Sequence, residues 1–311
     1  IAAVASPSRF SSAPMLESLE LSDEEISSLF GGERHDEEHE DGRLLSFFTG
    51  ANRHVALKAK ELKVLRPHGH IMRTGGSLTP DETSLTTTAW MAGVFHSMVT
   101  QGHVNINRFL STTHSYLRLL CSNGQRIFVE LEDEWRLLDV PSAFSMEPNG
   151  CRWIYKHRGG LFEVVSSAPD DKHELRLRIS VLEGPPARFL ISHHVAINGD
   201  DGSHATPVRW ERDGDRIFVR PIPDCDVGRR FPEGGFLFTP SGKTGFEKIG
   251  GDELLFADGV SRNQPFLCMV TSPARIAGLD IVGRLVESSV SRTEDFWNSI
   301  GAGLRIHAPD S

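Results

Sequence analysis

The chain has 311 residues, of which 39% are apolar and 24% charged, and it carries a formal net charge of -9. This is the composition of an ordinary globular protein, long enough for one large core or two modest ones. The negative charge and the scattered Lys and Arg residues argue against nucleic-acid binding, and no stretch approaches the roughly 20 apolar residues of a membrane helix.

Residues 1–63 form a predicted N-terminal extension in which Ser, Pro and acidic side chains are frequent. Ser22, followed by DEE and then by apolar positions, is typical of a short capped helix that ends at a Gly pair. The next run, GERHDEEHED, is almost wholly charged and predicts a solvated acidic linker. A metal site at His35 and His39 with their flanking carboxylates is the alternative interpretation of this run.

Residues 64–290 form the predicted main domain, because the hydrophobic period changes to two there. The clearest case is ELRLRISV at 174–181, whose aliphatic side chains alternate with polar ones and which must therefore have one wet face. RIFVEL at 126–131 and RIFVR at 216–220 repeat the alternation less strictly. Their Phe side chains point to the outward side, where we expect a second layer to cover them.

Short Gly-containing bends separate these strands, including NG at 149–150, GG at 159–160 and DG at 213–214. Asn-Gly and Asp-Gly adopt the positive φ of tight hairpin turns, which favours antiparallel neighbours. Parallel βαβ units would need helices of about a dozen residues, which are not found between 105 and 225. A single sheet would expose its apolar face. The sequence therefore predicts a mainly β fold, a large two-layer antiparallel β-sandwich.

Helical character returns only near the C-terminus. Ser291 and Glu294 form a capping box at the start of SRTEDFWNSI. We assign residues 291–311 to the beginning of a C-terminal linker helix.

The four cysteines are far apart in the sequence and predict neither a zinc site nor a disulfide framework. We expect small buried side chains in a reducing compartment. The first apolar run of the chain is too short for the core of a signal peptide, so we expect a cytoplasmic protein.

Three motifs suggest ligands but are better explained as turns or strands. PSGKT at 240–244 lacks the first glycine of a phosphate-binding loop, because Leu237 stands there, and predicts a hairpin turn. The loop at 198–202 lacks the closing glutamate of a calcium-binding loop. His68 and His70 lie on one face of an extended segment, but no third ligand is identifiable. We predict no metal site.

Residues 86–117 are rich in polar and aromatic side chains, and four of them are candidate substrate contacts: Trp90, His103, Asn105 and Arg108. Sugars are bound by such a mixture, because hydroxyl groups need polar partners and the apolar face of a pyranose stacks on aromatic rings. The guanidinium of Arg108 can hold a hydroxyl pair or a phosphate. The alternative is a β-rich segment whose polar side chains satisfy one another.

A glycosidase needs two carboxyl groups at a defined separation across the scissile bond. The candidates lie in predicted strands or turns with charged neighbours, and they are Glu130, Glu132, Glu134, Asp139 and Glu163. We expect solvated positions for all five and assign no catalytic residue.

Several long strings resemble the N-terminal part of 1,2-β-oligoglucan phosphorylases. They are LRPHGHIMRTGGSLTPDETSLTTTAWMAGVFHSMVTQGHVNINRFLSTTHSYLRLL, GQRIFVELEDEWRLLDVPSAF, NGCRWIYKHRGGLFEV, RFLISHHVAINGDDG and IGGDELLFADGVSRNQPFLCMV. Together they place the likeness over residues 64–298. Because these strings are long, chance agreement is a poor explanation of the resemblance.

The resemblance implies an N-terminal supersandwich, a linker helix and an (α/α)6 barrel that supplies the general acid, so no catalytic residue is carried over onto this chain. It implies inverting phosphorolysis of β-1,2-glucooligosaccharides to α-glucose 1-phosphate, with inorganic phosphate as co-substrate and no cofactor. It also implies that the sandwich supports the barrel, in cis or as a separate chain, and a homodimer contact, with loops that reach the substrate.

Two functions of other classes are also compatible with the residues. One is a free-standing carbohydrate-binding module that uses Trp90, His103 and Arg108. The other is a mutarotase-like sugar epimerase, since large β-supersandwiches also occur in enzymes that act through a His and Glu pair.

Overall fold

The computed structural model of the chain describes residues 13–63, 68–76, 83–102, 108–110, 123–198 and 208–284. The elements of the first half are α1 (Asp23–Phe30), β1 (Arg34–Glu40), β2 (Arg43–Thr49), β3 (Arg53–Leu57), α2 (Lys58–Lys63), β4 (Gly69–Arg73), β5 (Leu85–Trp90), β6 (Val94–Gln101), β7 (Gln125–Leu131), β8 (Glu134–Leu137), β9 (Ala143–Glu147) and β10 (Gly150–His157). Those of the second half are β11 (Gly160–Ser167), β12 (Glu174–Glu183), β13 (Phe189–His194), β14 (Arg209–Asp213), β15 (Arg216–Arg220), α3 (Asp226–Arg230), β16 (Gly235–Pro240), β17 (Phe246–Gly250), β18 (Phe266–Thr271) and β19 (Ile276–Arg284), with a 3-10 turn at Asp252–Leu255.

The described strands form three antiparallel sheets. One has eleven strands in the order β1-β2-β3-β9-β10-β11-β12-β19-β16-β15-β14, the second is β17-β18-β13-β7-β8, and the third is β4-β5-β6. The two smaller sheets share one apolar core with the large sheet, as the contacts of Phe162 with Phe189 and of Trp153 with Phe95 show. The predicted two-layer antiparallel β-sandwich is therefore confirmed.

Side-chain alternation determines which face of each strand is buried. In β12, Leu175, Leu177 and Ile179 are buried in the core whereas Arg178 is exposed, as the period of two predicts. Phe128 in β7 points away from that core, and it is covered on the outer side of its sheet by Leu255 and its neighbours. The prediction that a further layer covers Phe128 is confirmed.

Three of the predicted bends join neighbouring antiparallel strands. They connect β9 with β10, β10 with β11, and β14 with β15. The hairpin predicted at 240–244 is wrong, because this segment crosses from the eleven-stranded sheet to the five-stranded sheet. The Thr244 hydroxyl accepts a hydrogen bond from the backbone N–H of Gly278 at 2.7 Å and so fixes the crossing segment against β19. The local motif predicted the bend but not the sheet of the next strand.

The acidic linker predicted within residues 32–41 is also wrong. Most of this run is β1, an edge strand of the large sheet, and β2 and β3 continue the same sheet towards β9. Residue 63 therefore does not mark the start of the sandwich. Charged side chains suit an edge strand, whose outer side has no strand neighbour, and Glu38 is bonded to the Ser46 hydroxyl and to Lys60.

The short N-terminal helix α1 is confirmed. Ser22 accepts the backbone N–H of Glu25, and the Glu25 carboxylate accepts the backbone N–H of Ser22, which completes a capping box. Ile26 and Phe30 face the large sheet and pack against Phe47 and its neighbours on the outer face of that sheet. The helix thus seals a second apolar cluster.

Residues 13–21, which we call the strap, tie the two layers together. The backbone N–H of Leu16 donates to Leu137 O of β8 at 2.8 Å, and that of Leu19 donates to Lys156 O of β10 at 2.7 Å. One short segment therefore bonds to the five-stranded and to the eleven-stranded sheet. The Leu16 side chain, 5% exposed, enters the main core.

Several sequence features fall outside the described part of the chain, namely the predicted linker helix at 291–311 and most of the loop at 198–202. Cys151, Cys225 and Cys268 are free thiols, and burial raises the pKa of the Cys151 thiol. Among the helices that the structure describes, none has the length and apolar character needed to cross a membrane.

The strap offers a direct test of its structural role. We expect Leu16→Ala to lower the free energy of unfolding by about 2–4 kcal/mol, because the truncation leaves a cavity at the junction of both sheets. Urea unfolding followed by circular dichroism measures this value. Met15→Ala is the matched control, since Met15 is 57% exposed and its loss should change stability by less than about 0.5 kcal/mol. Equal effects of the two substitutions would contradict a strap anchored by Leu16.

Candidate functional site

Trp90, one of the predicted sugar contacts, lies at the end of β5 and is only partly exposed. Its ring rests on the backbone of Gly69, where a Cβ atom would come within 2.7 Å of the ring carbons. Its carbonyl oxygen accepts the indole N–H of Trp153 at 3.1 Å. Trp90 therefore has a clear packing role in the small sheet.

Arg108 is buried, at 6% exposure, and its backbone forms an isolated antiparallel bridge with Thr100. Thr100 pairs with Thr86, four residues before Trp90 on the same strand. At about 3.3 Å per residue this places the Arg108 bridge roughly 13 Å along the sheet from Trp90. The backbone positions of Trp90 and Arg108 thus lie apart along the small sheet, and His103 and Asn105 lie outside the described residues. Their role in substrate binding stays a prediction.

An open groove with convergent polar groups lies at one end of the sandwich. This end groove has a volume of about 540 Å³ and is lined by the strap, the end of β7, the β7–β8 and β10–β11 turns, and the segment between β12 and β13. Its lining residues are Leu16, Glu17, Glu130, Leu131, Glu132, Arg136, His157, Arg158, Gly159, Phe162, Glu183, Pro185, Pro186 and Ala187. Because its walls come from both layers, the groove exists only in the folded sandwich.

His157, at the end of β10, is held in one tautomer. Its ring stacks on Phe162 with the centroids 4.6 Å apart, and its Nδ1 accepts the backbone N–H of Gly159 at 3.1 Å. Burial and the nearby Arg136 guanidinium lower the pKa of His157, so the ring is neutral at pH 7. A neutral ring that accepts at Nδ1 carries its hydrogen on Nε2.

Two of the carboxylates that line the groove lie close to arginines. Glu130 accepts from Arg188 at 2.8 Å, and Arg136 lies 3.9 Å from the Glu132 carboxylate. The prediction of a solvated Glu130 is wrong, because its side chain is only 24% exposed, whereas that of Glu132 is 90% exposed. The Arg188 guanidinium therefore already occupies the Glu130 carboxylate.

The other three predicted carboxylates, Glu134, Glu163 and Asp139, also differ in their exposure to solvent. Glu134 is solvent-exposed, as expected, but Glu163 bonds to Arg152 at 2.5 Å and its side chain is 16% exposed. The Asp139 side chain is also largely covered, at 20% exposure. The prediction of a solvated side chain is therefore wrong for Glu163 and Asp139. The sequence shows that their neighbours are charged but does not show which arginine lies over each carboxylate.

A second group of interest is the carboxyl pair of Glu61 and Asp139, away from the groove. Burial and the negative charge of Asp139 raise the pKa of Glu61 to about 7. Burial also raises the pKa of Asp139, which the guanidinium of Arg126, 4.0 Å away, partly offsets. Gly93, with φ +69°, lets the β5–β6 turn approach this pair, since a Cβ there would lie 2.1 Å from Leu138 O. Glu61 therefore keeps its proton to a higher pH than an exposed glutamate does.

The histidines suggested as metal ligands have other contacts. The His35 ring stacks on Phe48 at 5.9 Å, and His68 faces His54 with the centroids 6.4 Å apart. His70 is 3.4 Å from Pro148 O. Within the described part of the chain, no group of three or more His, Cys, Asp or Glu side chains could hold a metal ion.

Sequence reasoning missed the end groove because its residues are scattered over three turns. His157 and Arg158 stand in KHRGG, whose Gly pair indicates a hairpin turn and no binding site, and Arg136 stands in EDEWR. The sequence feature that could have indicated this groove is the presence of His and Arg side chains at the ends of the predicted strands. The pairing of β8 with the strap, which closes the groove, leaves no local trace in the sequence.

Comparisons with known proteins give this sandwich a context. The model of the family described as the glycoside phosphorylase supersandwich domain matches residues 32–275. The chain is also 30% identical over 200 residues to a 1,2-beta-oligoglucan phosphorylase of Listeria innocua serovar 6a. That match covers 64% of this chain and 18% of the relative, so the chain spans a small part of that protein's length.

The raised pKa of Glu61 predicts a specific pH dependence of stability. A folded-state pKa near 7 against 4.5 means that stability falls as the pH rises between these values. We expect Glu61→Gln to be more stable than wild type at pH 8, by about 1 kcal/mol after allowance for solvent screening. The difference should vanish below pH 4.5.

Thermal unfolding between pH 4 and 8 measures this difference. Glu24→Gln on the exposed side of α1 is the control, and its offset from wild type should not change between pH 6 and 8. Parallel curves for Glu61→Gln and wild type would show that Glu61 ionises normally.

Proposed function

This chain belongs to the glycoside phosphorylase supersandwich domain family, and we propose that it is the non-catalytic sandwich of a cytoplasmic phosphorylase acting on β-1,2-glucooligosaccharides. The observation that carries the proposal is the extent of the family match, which runs from the residue pair before β1 to the start of β19. The match therefore covers the strands from β1 to β18 and ends immediately before β19.

The reaction we propose for the complete enzyme is inverting phosphorolysis. A phosphate oxygen forms a bond to the anomeric carbon while the glycosidic C–O bond breaks, and a general acid protonates the departing sugar oxygen. The products are α-glucose 1-phosphate and a glucan shortened by one unit. The printed name of the Listeria relative supports this substrate class.

The groove supports a non-catalytic role for this part of the enzyme. A general acid for glycosidic bond cleavage needs a raised pKa and a position beside the substrate. Among the described residues, Glu61, Asp139 and Asp280 have raised carboxyl pKa values but do not line the end groove. Glu130, which lines it, is held by Arg188. We therefore propose that the general acid is supplied by an (α/α)6 barrel, and that the sandwich supports this barrel and a homodimer contact.

A product assay tests this proposal. We expect the purified chain, mixed with β-1,2-glucotriose and inorganic phosphate, to release no α-glucose 1-phosphate in 31P NMR spectra. The product of the complete reading frame that contains this chain should release it, and only with phosphate present. Turnover by the purified chain, or sugar release by the complete product without phosphate, would overturn the assignment.

A further inference from the structure

We propose that the end groove is an oligosaccharide-binding subsite, in which Arg136, His157 and Arg158 donate hydrogen bonds to sugar hydroxyls and Glu132 and Glu183 accept them. Only the identity of the sugar, a β-linked glucan, rests on the proposed function. The groove volume of about 540 Å³ lies within the ~300–1,000 Å³ of small-molecule sites.

Two donors of the groove lack acceptors. Within the described residues, His157 Nε2 and Arg136 Nε are shielded from solvent and have no hydrogen-bond partner. Buried N–H groups without partners are rare, because each loses its hydrogen bonds to water without replacement. The Arg136 side chain is long and 29% exposed, so its rotation can present Nε to an acceptor oxygen in the groove. A sugar hydroxyl supplies such an oxygen.

The charge of the groove selects a neutral ligand. Four carboxylates line it, those of Glu17, Glu130, Glu132 and Glu183, together with the guanidinium groups of Arg136 and Arg158. An anion such as phosphate would meet the four carboxylates, and a cation would meet the two guanidinium groups. A polyol both donates and accepts hydrogen bonds, so it can satisfy both kinds of group at once.

The groove also offers apolar surface to the C–H face of a pyranose. Pro185 and Pro186 are exposed in the segment that leads into β13, and the ring of His157 is braced from behind by Phe162. Rigid apolar rings beside hydrogen-bonding groups are the mixture that binds sugars. The stack with Phe162 keeps the His157 ring in place before a ligand arrives.

Another depression of the surface, between α1 and the first strands, lacks these properties. It is larger, about 690 Å³, but its charged groups pair with one another, Arg43 with Glu20 and Arg34 with Asp23. Its donors are therefore already satisfied. The end groove differs from it in holding unpaired buried donors.

NMR spectra of the purified chain with 13C,15N-labelled histidine test the proposal. We expect β-1,2-glucotriose to shift the His157 ring signals saturably, with a millimolar dissociation constant, and inorganic phosphate to leave them unchanged. His157→Phe keeps the stack on Phe162 but removes the Nε2 donor, and it should weaken binding about fivefold, the effect of one hydrogen bond. Binding to this variant is followed by calorimetry.

Arg158→Ala, on an exposed turn, is the second variant and should weaken binding by a similar factor without affecting folding. Arg216→Ala is its control, because Arg216 is also exposed but lies on β15, four strands from β11 in the large sheet. No saturable response of the His157 signals, tighter binding of phosphate than of sugar, or equal affinities of Arg158→Ala and Arg216→Ala would overturn the subsite.

The two proposals fail separately. Sugar binding at His157 without phosphorolysis by the complete gene product would retain the subsite and overturn the proposed function. Phosphorolysis by the complete gene product without any response at His157 would retain the proposed function and overturn the subsite.

Discussion

The indole of Trp153 is the contact on which the relative position of the sheets depends. Its ring, fully buried in β10 of the large sheet, packs between Phe95 of the three-stranded sheet and Phe144 of β9, with centroids 4.9 and 5.1 Å away. A buried indole N–H needs an acceptor, and here the acceptor is the carbonyl of Trp90. Packing and hydrogen bonding thus join the same two sheets at one residue.

The same need for joining explains the end of the sandwich where the strap lies. Two stacked sheets leave an open rim where their turns end, and backbone groups at that rim require partners. The strap supplies these partners through Leu16 and Leu19, one bonded to each layer. What the strap leaves uncovered is the end groove, so the shape of the groove follows from where the strap ends and the turns begin.

Much of the fold could be predicted because its causes are local. Leu175, Leu177 and Ile179 alternate with polar residues, and a pleated strand is the conformation that places them on one face. The capping box at Ser22 is equally local. β1 was missed for the opposite reason, since its edge position needs no apolar face and its partner β2 is found only by folding.

The hydrogen bonds of buried polar side chains could not be predicted from the sequence, because they join residues that are distant in the chain. His193 donates from Nδ1 to Leu267 O at 3.1 Å and accepts from Gln125 at its Nε2, 3.0 Å away, so three strands share one neutral imidazole. Burial lowers the pKa of His193 to about 3. The sequence favoured Arg108 because a guanidinium can hold a hydroxyl pair or a phosphate, but Arg108 is buried and does not line the end groove. The groove around His157 depends on Arg136 and Glu183, which are distant from His157 in the sequence.

The charged edge strand has a consequence for contacts between molecules. If two copies of β1 met antiparallel about their centres, Glu37 would face Glu37, and Asp36 would face Glu38 on both sides. Like charges directly opposite one another on paired strands repel, which discourages the joining of sheets end to end. The charged residues of β1 therefore protect the edge of the eleven-stranded sheet. They allow the sheet to end at Arg34–Glu40 without pairing to a second molecule and forming a fibre.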